Sequence, residues 1–177
     1  PMLVIGNKMD ETPEALRTKL AAAKVSFASA ASELALRNAA GAHMIQYLPG
    51  DEEFKVANEG TLTAPQKAGL AKIAAMMKQN HGTGVQQAIN RAVYELLDMI
   101  VVYPVEDETH FCNKQGDVLP DAFLMKKGST PHDLAFQVHT DIGKGFLYAI
   151  DARTKMRIKE NHVLKNGDII QIVSAAK

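Results

Sequence analysis

Four consecutive residues, Asn7-Lys8-Met9-Asp10, carry the groups that a purine-reading site needs. A carboxylate at Asp10 can accept from both the ring N1–H and the exocyclic amine of a guanine. The Asn7 amide can meet the N7/O6 edge, and the aliphatic stem of Lys8 can lie over the ring. The same four letters also suit a plain turn whose Asn and Asp cap the following helix. A second polar stretch, Ser29-Ala30-Ala31, stands just past Phe27-Ala28 at the end of the next predicted strand.

These residues need a frame, and the flanking pattern supplies one. Residues 1–6 read as a short buried strand that stops at a Gly-Asn turn. Thr12-Pro13-Glu14 gives a cap, a proline and an acidic first turn, so a helix is expected to about Lys24, burying Leu16, Leu20 and Ala23. Residues 25–28 form a second strand, and Ser29 opens a helix with Leu34 and Leu36. Strand, helix, strand, helix is the edge of a parallel α/β sheet. Both polar stretches then lie at the C-terminal ends of neighbouring strands, where such sheets bind ligands.

The polar run Pro49-Gly-Asp-Glu-Glu-Phe-Lys55 breaks the pattern. Two helices follow. Thr63-Ala-Pro-Gln66 has capping-box spacing ahead of Leu70, Ile73, Ala74 and Met77. Thr83-Gly-Val-Gln86 repeats the spacing ahead of a stripe of Val85, Ala88, Ile89, Ala92, Val93, Leu96 and Leu97. From Met99 the period changes from 3.6 toward 2. Strands are expected at 99–105, 122–126, 145–151, 155–159 and 168–173, with a helix capped by Lys127-Gly-Ser-Thr-Pro131 that buries Leu134, Ala135 and Val138. The expected division is an α/β part over 1–48, a helical segment over 49–98 and an α+β domain over 99–177.

Asn-Lys-Met-Asp together with Ser-Ala-Ala-Ser-Glu-Leu-Ala-Leu-Arg at 29–37 resembles the fourth and fifth guanine-nucleotide motifs of P-loop GTPases of the Obg/DRG/YchF type. The resemblance implies that Asn7 and Asp10 read guanine, that Lys8 covers it, and that Ser29 with the Ala30–Ala31 backbone meets its O6. A longer stretch, 118–143 with Leu164-Lys-Asn-Gly-Asp-Ile-Ile170, is similar to a TGS domain, a module shared with threonyl-tRNA synthetases and stringent-response synthetases. That implies a ubiquitin-like β-grasp fold and contacts with RNA, the ribosome or a translation factor. Together the resemblances describe the C-terminal part of a GTPase, beginning at Pro1 like a cut end. A stand-alone, non-enzymatic TGS adaptor is the alternative.

The chain also departs from that family. Neither a G-x-x-x-x-G-K-[ST] phosphate loop nor a D-x-x-G switch occurs in it, and the one Gly-Lys pair, Gly143-Lys144, has Val138 where the first glycine belongs. GTP is the implied ligand, Mg²⁺ is expected only with the missing phosphate-binding half, and hydrolysis by this span alone is not expected. Some members of the branch carry an altered fourth motif and prefer ATP; Lys8 and Asp10 favour guanine here.

Arg153, Lys155, Arg157 and Lys159 fall at every second position, so on a strand all four would share one face with Met156 and Ile158 turned inward. Such a row could track a phosphate backbone or simply be a solvated edge. The six histidines and Cys112 show no metal-ligand spacing, no catalytic residue is identified, and one cysteine fits a reducing, cytoplasmic setting. Lys+Arg and Asp+Glu are 20 each among 177 residues, ten and ten on either side of position 98, so bulk charge attracts no polyanion. A hydrophobic share of 46 % with no long apolar run excludes both disorder and a membrane span.

Overall fold

A computed structural model describes residues 1–57, 60 and 62–175. The last two residues expected in the third part lie outside that set. The chain divides into two units, Pro1–Ala92 and Val93–Lys177, both mixed α/β.

In the first unit β1 (Ile5–Gly6) and β2 (Ser26–Phe27) pair in parallel, as the alternating pattern requires. Each keeps only two ladder residues. Between them α1 (Glu14–Ala21) is shorter than expected and buries no residue; Leu16 is 46 % exposed. Its cap differs too. Pro13 takes the N-cap position, and the Thr12 hydroxyl donates to the Lys8 carbonyl at 2.8 Å.

Ser29 caps α2 (Ala30–Gly41) by accepting from the Ser32 N–H. Leu36 is fully buried while Leu34 faces out, so the helix shows the core one narrow stripe. A small antiparallel pair, β3 (Ile45–Gln46) and β4 (Lys55–Val56), precedes α3 (Ala64–Asn80). Thr63 and Gln66 form the expected capping box, and His81 closes α3 in the left-handed conformation. Leu36, Ile45, Tyr47, Met76 and Met77 share one core with Met9, so residues from the strand edge and from α3 pack together.

The second repeat of cap spacing does not cap. Gly84, left-handed, stands at the N-cap of α4 (Val85–Asn90), and the Thr83 side chain is engaged elsewhere. The apolar stripe also loses its period: α4 stops at Asn90 and Arg91–Leu96 continues as a π-helix. Ile89 and Leu97, both on the expected stripe, are each 47 % exposed.

The second unit is a five-stranded sheet in the order β6-β5-β9-β7-β8. β5 (Met99–Val105) pairs antiparallel with β6 (Phe123–Lys126) and parallel with β9 (Asp168–Ser174). β7 (Phe146–Asp151) joins β9 to β8 (Met156–Ile158), with a register shift between Phe146 and Tyr148. α5 (Pro131–Val138), capped by Thr130 and Asp133, buries Leu134 and Ala135, with Leu134 in one core with Ile100, Val102, Ala149 and Ile170. A one-turn helix, α6 (Thr140–Lys144), was not expected. His139 caps it: its ring Nδ1 accepts from the Asp141 N–H at 3.2 Å.

The basic row is corrected by this fold. The strand covers only Met156–Ile158, and Arg153 and Lys155 lie in the turn before it, Lys155 with φ 56°. Two-residue alternation cannot run through a turn. Met156 is accordingly 66 % exposed rather than turned inward.

Candidate functional site

The corner at the ends of β1 and β2 is assembled from two loops. Parallel pairing carries Ser26 to Val4 and Ala28 to Gly6 by backbone hydrogen bonds, and the Met9 N–H returns to the Ala28 carbonyl at 3.1 Å. Met9 is buried beneath, which fixes Lys8 and Asp10 on either side of it facing outward. Lys8 adopts a left-handed backbone, φ 62°, and its carbonyl accepts from the Glu11 and Thr12 N–H groups. Its ammonium lies 3.5 Å from Glu11, an exposed pair of little energetic weight.

Asn7, Asp10, Ser29 and Ala30 meet there. The Ser29 hydroxyl lies 2.6 Å from Asp10 Oδ1, and the Ala30 N–H donates to Asn7 Oδ1 at 3.1 Å. Ser29 is fully buried, whereas Asp10, Ala30 and Ala31 reach the surface. Bonding to Ser29 takes up one lone pair of Asp10 and leaves acceptor capacity directed outward. A cleft of about 270 Å³ adjoins this corner, lined by Met9, Asp10, Thr12, Ser32, Lys72 and Gln79 among others. Larger clefts of about 520 and 690 Å³ do not include Asn7, Lys8 or Asp10.

A buried polar cluster lies behind the corner, and nothing in the motif spacing signals it. Glu33 in the first turn of α2 accepts from Arg37 Nε at 2.7 Å, Tyr47 Oη at 2.8 Å and Thr83 Oγ1 at 2.6 Å. Burial pushes its carboxyl up, but these three donors and the Arg37 charge outweigh that, and it lies below the usual carboxylate range. Tyr47 is pushed up by burial and by donating to Glu33. In the sequence Glu33 looks like an ordinary acidic first-turn residue, which hides its burial.

The four cations occupy the other unit. Arg153 donates to the Gly167 carbonyl at 3.2 Å, and the Arg157 guanidinium stacks 3.9 Å from the Tyr148 ring centroid. All four are exposed, but they sit on a turn and a short strand rather than on one flat row. Cys112 bridges Asp107 and Val118 through its backbone. Asp107 is held at about 2 by the His110 ring and by the Thr109 and His110 N–H groups. Among the described residues no group of three His, Cys, Asp or Glu side chains is placed to hold a metal ion.

Two family models match the chain. Residues 5–107 match the Obg-like GTPase YGR210-like, G4 motif-containing domain, and residues 109–174 match the TGS domain. A GTP-binding protein of Methanocaldococcus jannaschii is 47 % identical over 182 residues, covering 100 % of this chain and 46 % of that protein. A GTP-binding protein of Schizosaccharomyces pombe is 33 % identical over 111 residues, 58 % of this chain and 27 % of that protein. The crystal structure of a GTP-binding protein from Pyrococcus horikoshii superposes with a TM-score of 0.71 at 44 % identity, covering 99 % of this chain and 46 % of that one. The chain therefore spans about half the length of the Methanocaldococcus and Pyrococcus proteins and about a quarter of the Schizosaccharomyces one.

Proposed function

Because the chain belongs to the YGR210-like Obg GTPase family and carries a TGS domain, we propose that its first unit recognises the guanine of GTP. In this reading residues 1–48 are the end of a G domain, 49–98 a helical segment and 99–177 a TGS domain of the β-grasp kind.

The observation that carries the reading is the contact between Ser29 and Asp10 beside that between Ala30 and Asn7. Two loops from different strands converge to hold a carboxylate and an amide side by side. Asp10 accepts from N1–H and the exocyclic amine, Asn7 meets N7, and Lys8 lies across the ring. The Ala30 N–H, with the Ala31 backbone beside it, serves O6 once the base competes with Asn7 for it. An adenine presents an acceptor at N1 and no 2-amino group, so Asp10 repels it. The phosphates and Mg²⁺ belong to a phosphate loop that this sequence does not contain, so no hydrolytic step is assigned to its residues.

The TGS domain supplies the second half of the function, a contact with ribosomal RNA in the cytoplasm, made by Arg153, Lys155, Arg157 and Lys159. What supports it is that all four cations are exposed and that Arg157 is already ordered against Tyr148.

Asp10→Asn in the gene's full-length product tests the guanine half. An amide offers a donor where the guanine amine needs an acceptor, so GTP affinity should fall by roughly tenfold or more while XTP affinity rises. Unchanged selectivity returns the corner to a simple helix-capping turn and leaves the adaptor reading in its place.

A further inference from the structure

We propose that the Gly82-Thr83-Gly84 turn between α3 and α4 is a working part of the base-reading corner, with Thr83 as the residue that positions Ser29 against Asp10. This rests on the guanine reading above and adds to it a segment that lies far from both motifs in the chain.

Ser29 is the hub of the corner. Its hydroxyl has one hydrogen and two oxygen neighbours, Asp10 Oδ1 at 2.6 Å and Ser32 Oγ at 2.8 Å. The carboxylate is the stronger acceptor, so Ser29 donates to Asp10 and accepts from Ser32. Such an arrangement works only if the Ser29 backbone is held in place, and Thr83 holds it from two sides. Its carbonyl accepts the Ser29 N–H at 2.8 Å, and its hydroxyl donates to Glu33 at 2.6 Å on the helix that Ser29 caps. Thr83 is only 2 % exposed, so neither bond has water to replace it.

Gly84 continues the same contact. At φ +82° it lies so close to the end of β2 that a Cβ there would stand 2.1 Å from the Phe27 carbonyl oxygen and 2.9 Å from Ala28 Cα. Gly84 therefore rests on residues 27–28 and Thr83 grips residue 29. The Met9 N–H meets the Ala28 carbonyl, so the loop carrying Asp10 is tied to the same short piece of backbone. Moving the turn withdraws the Ser29 hydroxyl from Asp10. By linkage, a base that fixes Asp10 also fixes the turn and the start of α4.

The test uses the full-length product and compares two variants that remove a donor from the same Glu33 oxygen. Thr83→Val keeps the side-chain volume and loses the hydroxyl; it should weaken GTP binding about tenfold. Thr83→Ser should restore it. Tyr47→Phe removes the other donor without touching Ser29, and should lower thermal stability comparably while GTP affinity stays within about twofold. Equal losses of affinity in Thr83→Val and Tyr47→Phe would mean general loosening and overturn the proposal. Unchanged affinity in Thr83→Val beside a loss in Asp10→Asn overturns it with the guanine reading intact. Failure of Asp10→Asn to change selectivity counts against that reading instead.

Should Thr83→Val not fold, hydrogen exchange in the unsubstituted protein decides. The Ala88 N–H, which donates to the Gly84 carbonyl at 3.0 Å, should exchange several-fold more slowly with GTP than with ATP, together with Ser29. Slowing at Ser29 alone, or at neither amide, refutes the coupling.

Discussion

Glu33 is kept ionised in a place where burial alone would neutralise it. Its folded pKa lies below the ordinary 4.5, so the unfolded chain binds the proton more readily. The stability it contributes is present above about pH 4.5 and is lost as pH falls through the lowered folded value. Glu33→Gln should therefore cost about 1–3 kcal/mol at neutral pH, where donors are left unmatched, and little at low pH. Urea midpoints at pH 7 and below pH 4 check this; an equal difference at both pH values would contradict it. At this scale the meeting of Asn7 and Asp10 with Ser29 and Ala30 was legible, because each stretch directly follows one of two neighbouring parallel strands. Glu33, Tyr47 and Thr83 were not, since single polar letters in unrelated segments carry no spacing. Only the fold brings them within hydrogen-bond reach.

The elements divide in the same physical way. β5 and β9 run seven residues each, and their period of two is visible without the structure. The capping boxes of α3 and α5 also form as their spacing requires. β1 and β2 are two-residue ladders, and what ends them is tertiary. The π-helix at Arg91–Leu96 was equally invisible, because its apolar residues fit a 3.6 period that the backbone does not keep. The turn between β7 and β8 defeated the alternation assumed for Arg153 to Lys159. It also sharpens how the proposed RNA contact should be probed. Arg157 stacks on Tyr148 and, among the described residues, its side chain makes no carbonyl contact of the kind Arg153 makes to Gly167. Arg157→Glu should weaken RNA binding and flatten its salt dependence by about one to two units of slope, without unfolding the sheet. A filter-binding series across salt concentrations measures both, and an unchanged slope removes Arg157 from the contact.

At the scale of the molecule, each unit has a core of its own among the described residues. Met77 is fully buried in one and Leu134 in the other. Met77→Ala and Leu134→Ala should each cost about 2–5 kcal/mol, and each should accelerate exchange only within its own unit. Exchange rising across both units from either substitution would show one cooperative block. The change of period at Met99 marked where the second unit's sheet begins, but three parts were expected where the chain forms two units; the shared core of α2 and α3 was hidden by the polar run between them. Gly84 also sets a limit on drift. A Cβ there would stand 2.1 Å from the Phe27 carbonyl oxygen, on a backbone that is left-handed at φ +82°. Any descendant of this sequence that keeps the turn against β2 must therefore keep a glycine at position 84.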